Sequence, residues 1–506
     1  MEPRLLASGS KGNAVKLKDL LLSLKQSKVI GDDSVEISGI TYDSRDAAAG
    51  HVFVAIPGFK ADGAAFAAQA IERGAKAVVL EKDVKLPKDV TKVIVPNSRI
   101  ALAELSSTFY GHPSRRLKMI GITGTNGKTT TSFLIEAILR KAGHNVGVIG
   151  TVEARINGKG VPVKLTTPES SELQELLSRM LKEGVTHVVM EVSSHSLKLH
   201  RVHGVEFDVA IYTNLTHDHL DFHGNMQNYL KAKLKLFEKL GKGVKKDVTA
   251  IINVDDPYGK KIMTYVDGNI LTYGAVNNAN LNASNIETSI NTMTFELQSF
   301  DSKFNISTSL IGIPNAYNIM AALLCGKVFG LTYEQMKSAV EDLKYIPGRF
   351  ERIDAGQKFP VIVDFAHSPD SLMKLLETVR PLTKGKLILV FGCSGERDRA
   401  KRPVMGDIAI KMANFTFITT DDPHGEAPDR IIAEIEAGVV GAGGEIGKNY
   451  RKMEDRRAAI EQAINMAQAG DIVVIAGRGH ERFQDYKGVK VQIDDREVAR
   501  EILGRK

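Results

Sequence analysis

A glycine-rich segment at residues 121–130 (GITGTNGKTT) contains the residue types that bind a triphosphate. The apolar run 117–122 before it predicts a buried strand, and the 3.6-residue pattern after it predicts a helix ending near Gly143. In such a strand–loop–helix unit, backbone N–H groups converge on the phosphates, Lys128 reaches the outer phosphates and the Thr129 hydroxyl ligates Mg²⁺. The usual G-x-x-x-x-G-K-T spacing would place its first glycine at Ile122, so Gly121 stands one residue too early. The segment nevertheless predicts nucleotide binding, by Gly124, Thr125, Asn126, Gly127, Lys128, Thr129 and Thr130.

Acidic and histidine side chains follow two later predicted strands. Glu191 closes an apolar strand at 186–192, and the segment 213–223 (TNLTHDHLDFH) closes the next one. Strands that alternate with helices form a parallel sheet, and ligands bind beyond the carboxyl ends of its strands. A carboxylate facing a phosphate loop suits Mg²⁺, and a histidine among oxygen ligands suits a second ion. Zinc is the alternative, but the segment offers no cysteine, so magnesium is favoured.

The last third of the chain shows the same arrangement of strands and polar strand ends. Four apolar strands are predicted there, at 361–364, 387–391, 415–420 and 472–476. They predict a further doubly wound α/β domain whose strand-end loops share one face. Upstream, residues 278–311 predict antiparallel strands. The helix after them, predicted through 319–329, would place Asn315 and Asn318 on one side of its first turn, within reach of a base.

The length of 506 residues exceeds one hydrophobic core and indicates about three domains. The step at His112-Pro113-Ser114 marks the first boundary. We expect an α/β protein with a small N-terminal α/β domain, a central P-loop domain with a parallel sheet, and a C-terminal α/β domain, over residues 1–112, 113–342 and 343–506. In the first domain, helices are predicted at 15–24 and 64–73 after a short mobile tail.

Composition is that of a globular protein, and small anionic substrates explain its positive charge as well as a nucleic-acid partner would. The net charge of +7 is modest, and the basic residues are interspersed with acidic ones, so no nucleic-acid partner is indicated. Cys325 and Cys393 are far apart without metal-type spacing, which fits a reducing cytosol. There is no run of 18 apolar residues, and residues 1–13 lack the apolar centre of a signal peptide. We expect a cytoplasmic monomer with no membrane partner.

Five motifs occur in one order along the chain: TGTNGKT at 123–129, EVSSH at 191–195, NLTHDHLDFH at 214–223, PGRFE at 347–351 and DFAHSPD at 364–370. Through them the chain resembles the Mur ligases, from Thr41 to about Gln484. The closest resemblance is to the branch that adds the third residue of the peptidoglycan stem peptide. It implies an N-terminal domain for the uridine diphosphate, a central ATPase, and a Rossmann-like C-terminal domain that brings the incoming amino acid.

The resemblance assigns residues to each substrate of such a ligase. Those that resemble the family's contacts to UDP-N-acetylmuramoyl-L-alanyl-D-glutamate are Ser44, Arg45, Thr166, Thr167, Ser193, Arg201 and Lys233. Those that would close on ATP, together with the glycine-rich loop, are Asn315, Arg349, Asp364 and His367. Those that would receive the incoming amino acid are Arg397, Asp422, His424, Gly477 and Glu481.

The resemblance also implies a catalytic and a metal-binding set. Lys233 falls where the family carries a carbamylated lysine, whose added carboxylate bridges to a second metal ion. From its sequence position alone Lys233 would be a solvated helix lysine, so the resemblance reverses that interpretation. The implied catalytic residues are Lys128, Lys233, His219 and Glu191. The implied Mg²⁺ ligands are Thr129, Glu191, His219 and the carbamylated Lys233.

Three positions depart from the family pattern. Leu199 stands where the family often has Gln, and Ala64 where it usually has His. The diaminopimelate-type Asp-Asn-Pro-Arg reads here as residues 421–424 (DDPH). A neutral imidazole at His424 offers one donor where guanidinium offers a charged fork, unless Arg397 or Arg478 compensates. Because the Gly-x-Gly-His-Glu pattern is retained at 477–481, we favour meso-diaminopimelate as the added residue, with L-lysine as the alternative.

The implied reaction follows from the chemistry of a carboxylate. An amine cannot displace oxide, so ATP first phosphorylates the carboxylate, and the amine then attacks the acyl phosphate. Folylpolyglutamate synthetase shares the loop and the ligase chemistry and is the first rival. The long segment before residue 113 and the pairing of Ser193-Ser194-His195 with Arg201 count against it. A P-loop protein that uses ATP only for conformational work is the rival from another class.

Overall fold

Three open sheets organise the residues that this computed structural model describes, 14–58, 61–300 and 302–505. The mobile tail predicted at residues 1–13 lies outside the described residues. Each sheet lies within one of the three predicted domains, whose boundaries at residues 112 and 342 stay predictions. In the described part of the chain, no helix is long and apolar enough to cross a membrane.

The N-terminal sheet has five strands in the order β2-β7-β6-β5-β4, all parallel except the β2–β7 pair. The elements of the N-terminal domain, in which β1 and β3 pair with each other outside this sheet, are β1 Val15–Lys16, α1 Leu17–Leu21, β2 Lys28–Ile30, β3 Glu36–Ile37, β4 Gly39–Thr41, β5 His51–Val54, α2 Ala67–Glu72, β6 Ala77–Leu80, β7 Thr91–Ile94 and α3 Ser98–Phe109.

Both helices predicted in this domain are shorter than expected. The first is wrong at its start, because Val15 and Lys16 pair as a strand with Ile37 and Glu36. The second begins only at Ala67, because the Asp62 carboxylate caps the N–H of Ala64 and a 3₁₀ turn precedes the helix.

The middle sheet has eleven strands in the order β11-β10-β9-β12-β8-β13-β14-β15-β16-β17-β18. Its elements are β8 Lys118–Thr123, α4 Lys128–Lys141, β9 Val146–Ile149, β10 Ala154–Ile156, β11 Lys159–Val161, α5 Ser170–Lys182, β12 His187–Glu191, α6 Ser194–Lys198, β13 Val209–Tyr212, α7 Leu220–His223, α8 Met226–Lys239, β14 Thr249–Asn253, α9 Gly259–Met263, β15 Asn269–Gly274, β16 Leu281–Thr288, β17 Met293–Ser299, β18 Lys303–Thr308, α10 Ile313–Val328 and α11 Tyr333–Asp342.

The centre of this sheet confirms the predicted parallel arrangement. β8 lies between β12 and β13, parallel to both, so the glycine-rich loop, Glu191 and the histidine-rich segment leave neighbouring strands at one edge. The antiparallel strands predicted at 278–311 are β16 to β18. The helix predicted through 319–329 already begins at Ile313, with Pro314 in its first turn, where the missing N–H of proline costs nothing.

The C-terminal sheet has six strands in the order β19-β20-β24-β21-β22-β23, and only β19 is antiparallel to its neighbour. Its elements, with a small hairpin of β25 and β26, are β19 Glu351–Ile353, β20 Val361–Asp364, α12 Pro369–Val379, β21 Leu387–Phe391, α13 Lys401–Met412, β22 Phe415–Thr419, α14 Pro428–Gly441, β23 Tyr450–Met453, α15 Arg456–Met466, β24 Ile472–Ala476, β25 Phe483–Tyr486, β26 Val489–Gln492 and α16 Asp495–Gly504.

A buried ion pair fixes two strand ends of this sheet. The Arg456 guanidinium donates to both carboxylate oxygens of Asp495, at 2.8 and 2.7 Å, and both side chains are fully buried. Arg456 also donates to the carbonyls of Thr420 and Ala476, at the ends of β22 and β24. The loops that follow these two strands therefore start from a rigid base.

Candidate active site

The glycine-rich loop connects β8 to α4, and two of its glycines have no room for a side chain. A Cβ at Gly124 would overlap the Thr213 hydroxyl, and one at Gly127 would overlap the Asn318 side chain. Gly127 also has φ +88°, in the left-handed region that favours glycine. Gly121, in contrast, lies inside β8 against Phe207 and takes no part in the loop, which accounts for its unusual spacing.

Two lysine side chains converge on one carbonyl oxygen of this loop. Lys128 Nζ donates to the Gly124 carbonyl at 2.9 Å and to the Thr125 carbonyl at 2.8 Å, and Lys233 Nζ donates to the Gly124 carbonyl at 2.7 Å. Lys233 is 1% exposed, so it is not a solvated helix lysine. Burial, reinforced by the charge of Lys128, holds the pKa of Lys233 well below its usual range. Burial also lowers the pKa of Lys128, while Glu191 and Asp218 oppose that shift.

Glu191 lies at the end of β12, beside the loop, as predicted. It is 1% exposed, and its two carboxylate oxygens accept hydrogen bonds from the N–H and the hydroxyl of Thr151, both at 2.9 Å. Its charge acts on Lys128 and on Arg349, where it raises the pKa against the effect of burial. The Glu191 carboxylate therefore acts electrostatically both on the lysine next to the phosphate loop and on an arginine of the C-terminal domain.

His219 stands at the start of α7 with φ +55°, and its ring lies 4.9 Å from the ring of His195, which stacks on Phe222. Burial lowers the pKa of both histidines, for His195 to about 4, so both rings are neutral near pH 7. A neutral imidazole offers a lone pair to a metal ion. Among the described residues, no three His, Cys, Asp or Glu side chains form a metal site by themselves. The Mg²⁺-binding roles predicted for Thr129, Glu191 and His219 therefore stay predictions.

The C-terminal domain closes directly on the loop. Arg349 donates to the Thr129 hydroxyl at 3.2 Å, and its guanidinium lies 4.4 Å from the centre of the Phe365 ring. Asp364 accepts from the Phe350 N–H at 2.7 Å, and burial raises its pKa while Arg349 opposes that shift. Burial lowers the pKa of His367, whose Nδ1 lies 2.8 Å from the Phe365 carbonyl. Arg349 thus bonds to the start of the helix that follows the phosphate loop, and its charge acts on the pKa values of Asp364 and His367.

Asn315 and Asn318 lie on one side of α10, as expected. The Asn318 amide donates to Asn315 Oδ1 at 3.1 Å, and Asn318 Oδ1 accepts from the Thr131 hydroxyl at 3.3 Å. The Asn315 amide donates to the Ile311 carbonyl at 2.9 Å. The pair therefore borders the helix that follows the phosphate loop.

A second cluster of polar side chains lies next to the Glu191 backbone carbonyl. The Thr167 hydroxyl donates to the Glu191 carbonyl at 2.8 Å and lies 3.4 Å from the Ser193 hydroxyl. Arg201 donates to Glu169 at 2.7 Å and to the Thr167 carbonyl at 3.2 Å. The Thr166 hydroxyl joins this group through Thr151, at 3.3 Å. Four residues predicted to hold one substrate, Thr166, Thr167, Ser193 and Arg201, are thus brought together.

Ser44 and Arg45 lie in the N-terminal domain and differ in exposure. Ser44 is buried and its hydroxyl donates to Gln69 Oε1 at 2.6 Å, whereas the Arg45 side chain is 76% exposed and pairs with Asp43. The N-terminal domain contacts the middle one through Arg99, which lies 3.5 Å from the same Glu169 that holds Arg201. The roles predicted for Ser44 and Arg45 stay predictions.

The strand-end loops of the C-terminal domain form an acidic pocket. Asp421, which no sequence motif marked as a ligand residue, is 4% exposed, and its Oδ2 is buried without a hydrogen-bond partner. A Cβ at Gly477, where φ is +113°, would overlap that oxygen. The Glu481 side chain is 37% exposed. Loss of solvation around its carboxyl, with the charges of Asp421 and Asp422, raises its pKa to about 8, while the charge of Arg478 opposes that rise. Such a pocket favours a cation.

The Arg478 guanidinium lies 3.5 Å from the Glu481 carboxylate and opposes the rise in the pKa of Glu481, and the expectation that Arg478 compensates for a missing arginine stays a prediction. Its side chain is fully buried and donates to the carbonyls of Asp421 and Phe483, because the loop needs these carbonyls satisfied. Arg397 is exposed, and its charge helps to lower the pKa of His195, so it faces the middle domain. His424 lies between two carboxylates, with Nε2 3.9 Å from Asp422 and Nδ1 3.9 Å from Asp485.

Three family models match the chain: "Mur ligase family, catalytic domain" over residues 36–110, "Mur ligase middle domain" over 122–326 and "Mur ligase, glutamate ligase domain" over 348–479. The chain is 41% identical over 489 residues to the UDP-N-acetylmuramoyl-L-alanyl-D-glutamate–2,6-diaminopimelate ligase of Caldanaerobacter subterraneus, covering 97% of this chain and 99% of that protein. It is 43% identical over 490 residues to the protein of the same name from Syntrophomonas wolfei, with the same coverage.

Solved structures give the same result for the fold. A UDP-N-acetylmuramoyl-L-alanyl-D-glutamate–2,6-diaminopimelate ligase superposes with a TM-score of 0.69 at 31% identity, covering 97% of this chain and 99% of that one. MurF ligase from Thermotoga maritima in complex with ADP superposes with a TM-score of 0.62 at 20% identity, over 92% and 97% of the two chains. At that identity the second match shows the fold alone.

We predict that Lys233 carries a carbamate, because burial lowers the pKa of this amine and the unprotonated amine is the form that attacks carbon dioxide. After equilibration with carbon-labelled bicarbonate, the wild type should show a carbamate signal in the carbon NMR spectrum. The Lys233→Ala variant should lack it, and Lys231→Ala, which removes an exposed lysine from the same helix, should retain it. A wild-type spectrum without that signal would mean that Lys233 remains a plain amine.

Proposed function

The chain belongs to the Mur ligase family, and we propose that it joins a diamino acid to UDP-N-acetylmuramoyl-L-alanyl-D-glutamate with hydrolysis of ATP. The observation that carries this proposal is the convergence of Lys128 and Lys233 on the Gly124 carbonyl, next to Glu191 and beneath Arg349. The names of full-length relatives at 41–43% identity support the same substrate. A reaction between ATP and a UDP-linked precursor in peptidoglycan biosynthesis fits a cytoplasmic enzyme.

The proposed reaction has two steps. An oxygen of the substrate carboxylate attacks the γ-phosphorus of ATP, ADP leaves, and an acyl phosphate forms. The amine of the incoming diamino acid then attacks the acyl carbon, and inorganic phosphate leaves with that oxygen. Lys128 stands where charge builds up on the transferred phosphoryl group, and its two carbonyl partners keep it in place before ATP arrives.

Several residues position the two nucleotide substrates. Thr167, Ser193 and Arg201 hold the dipeptide part of the UDP-linked precursor beside Glu191, with Thr166, while Ser44 and Arg45 contact its uridine end. Asn315 contacts the adenine, and Arg349, Asp364 and His367 close on the ribose and phosphates. Since the last three come from the C-terminal domain, closure of that domain completes the ATP site and excludes water.

The residues present also fit Mg²⁺. Thr129, Glu191, His219 and a carbamylated Lys233 would hold it, because they supply hard oxygen donors and one neutral imidazole around the phosphate loop. Bound Mg²⁺ would neutralise charge on the ATP phosphates during phosphoryl transfer.

The acidic pocket receives the distal ammonium of the diamino acid. Glu481 and Asp422 supply carboxylates there, and Asp421 adds a buried oxygen that lacks a partner. Gly477 leaves the space next to Asp421 open. We propose meso-diaminopimelate as the preferred substrate, in line with the names of the relatives, with Arg397 and His424 near its distal carboxylate.

We predict that phosphate release requires both the UDP-linked dipeptide and a diamino acid. The value of kcat/KM should be higher for meso-diaminopimelate than for L-lysine, and tetrahydrofolate plus glutamate should give no release. If lysine is preferred by more than tenfold, roughly 1.4 kcal/mol, and His424→Arg shifts the preference towards diaminopimelate, the proposed amino acid is wrong and His424 is the reason. Release stimulated by tetrahydrofolate and glutamate would overturn the function itself.

The Lys128→Ala variant should fold and lose ligase turnover by about 10² to 10³-fold, because it removes a charge that stabilises the transition state. Steady-state phosphate release measures the loss. The matched control is Lys141→Ala, which removes a lysine from the exposed end of the same helix, where it pairs with Asp342. Normal turnover of Lys128→Ala would remove this lysine from the mechanism.

The pH dependence of turnover should report Glu481. Its carboxyl, with a pKa raised to about 8, is protonated at neutral pH in the free enzyme and binds an ammonium only when ionised. Its contribution to kcat/KM for the diamino acid should therefore rise about tenfold from pH 6 to pH 7 and level off above pH 8.

The ratio of kcat/KM for the wild type to kcat/KM for Glu481→Gln, followed with pH, separates the ionisation of Glu481 from that of the substrate amine. Glu497→Gln, which changes an exposed carboxyl on α16, serves as the control and should follow the wild-type profile. A ratio that stays constant with pH would exclude Glu481 from ammonium binding.

A further inference from the structure

Asp370, in the first turn of α12, reaches from the C-terminal domain into the middle domain. Its Oδ2 accepts three hydrogen bonds, from the Asn126 amide at 2.8 Å, the Thr216 hydroxyl at 3.2 Å and Lys374 Nζ at 3.0 Å. Only the last partner lies on its own helix. A carboxylate suits this position, since a helix N-terminus favours negative charge and donors bind a charged acceptor strongly.

The two partners in the middle domain belong to different loops that are tied together. Asn126 is in the phosphate loop, and its N–H donates to Asn214 Oδ1 at 2.9 Å. Thr216 is in the histidine-rich segment, and its N–H donates to the Thr125 hydroxyl at 3.0 Å. The Thr125 N–H in turn donates to the Asn214 carbonyl at 2.8 Å. Asp370 thus bonds to both loops of one continuous network.

This network also holds the two lysines. Gly124 and Thr125, which supply the carbonyls for Lys128 and Lys233, directly precede Asn126. A shift of Asn126 would therefore move the oxygens that position both amines. Thr216 lies three residues before His219, so the same contact also restrains the segment that carries the histidine.

We propose that Asp370 is a positioning residue that couples closure of the C-terminal domain to the geometry of the phosphate loop and its two lysines. This inference rests on the proposed function, in which closure completes the ATP site. Asp370 acts through Asn126 and Thr216 and touches no reacting atom. When the C-terminal domain is open, its carboxylate leaves both partners, and the loop loses a charged acceptor that fixes its tip.

Two other contacts across the same boundary differ from that of Asp370. Arg349 binds the Thr129 hydroxyl, inside α4 and beyond the carbonyls that hold the lysines. His217 lies 3.3 Å from Asp398, but its side chain is 54% exposed, so this contact is weak and solvated. Asp370 is 24% exposed and bonds to two loops at once.

The test compares Asp370→Ala, Asp370→Asn and Lys374→Ala with the wild type in the two-substrate phosphate-release assay. Asp370→Ala should lower kcat by about 10- to 100-fold, the range expected for losing hydrogen bonds to a charged acceptor. Its KM for the diamino acid should stay within about threefold of the wild-type value. Asp370→Asn keeps an acceptor without the charge and should recover part of the rate. Lys374→Ala, which removes only the partner on the same helix, should stay within about twofold of wild type.

A double-mutant cycle with Asn126→Ala identifies the route of the effect. Because Asp370 acts largely through Asn126, adding Asp370→Ala to Asn126→Ala should lower kcat by less than about threefold more. Independent, multiplying losses would overturn the proposal. So would a wild-type kcat in Asp370→Ala, or equal losses in Asp370→Ala and Lys374→Ala, since equal losses would mean that only the helix was disturbed.

Small-angle X-ray scattering with and without ATP gives a readout that needs no turnover. Wild type and Lys374→Ala should share one radius of gyration with ATP, and Asp370→Ala should keep a larger one. If the wild type releases no phosphate with both substrates, the proposed function fails. In that case the radius of gyration alone tests the role of Asp370 in closure. Equal radii for the wild type, Asp370→Ala and Lys374→Ala with ATP would overturn that role.

Discussion

Two amino groups share one carbonyl oxygen at the centre of the site, and the surrounding structure depends on this contact. Two ammonium groups on the Gly124 carbonyl would repel each other in a buried place, so the charge of Lys128 helps to hold the pKa of Lys233 down. The loop can offer that carbonyl only because Gly124 and Gly127 lack side chains against Thr213 and Asn318. Glu191, at the end of β12, and Asp218, in the segment between β13 and α7, compensate the charge of Lys128.

Opposite local charge distinguishes the two sites that serve the two steps of the proposed reaction. The phosphate loop is rich in cationic and N–H groups and takes the triphosphate, whereas the pocket around Asp421 and Glu481 is rich in carboxylates and takes an ammonium. The buried Arg456–Asp495 pair fixes the strand ends from which that pocket starts. Arg349 and Asp370 then bring the two halves together from the C-terminal side.

Apolar runs and strand-end motifs were enough to predict the parallel sheets and the convergence of the loop with Glu191. They missed β23, Tyr450–Met453, because two of its four residues are exposed and it carries no apolar run. Sequence could not distinguish Asp421 from Asp422, since both follow one strand and only burial separates them. Nor could it show that Arg478 is committed to backbone carbonyls, because those contacts arise only after folding.

The central claim is that this site activates a carboxylate by phosphorylation before an amine attacks it. The most direct measurement uses UDP-N-acetylmuramoyl-L-alanyl-D-glutamate with heavy oxygen in the accepting carboxylate, turned over with ATP and the diamino acid. If an acyl phosphate forms, the attacked phosphorus keeps one carboxylate oxygen, and mass spectrometry should find one heavy oxygen in each released phosphate. Released phosphate without the label would contradict the account.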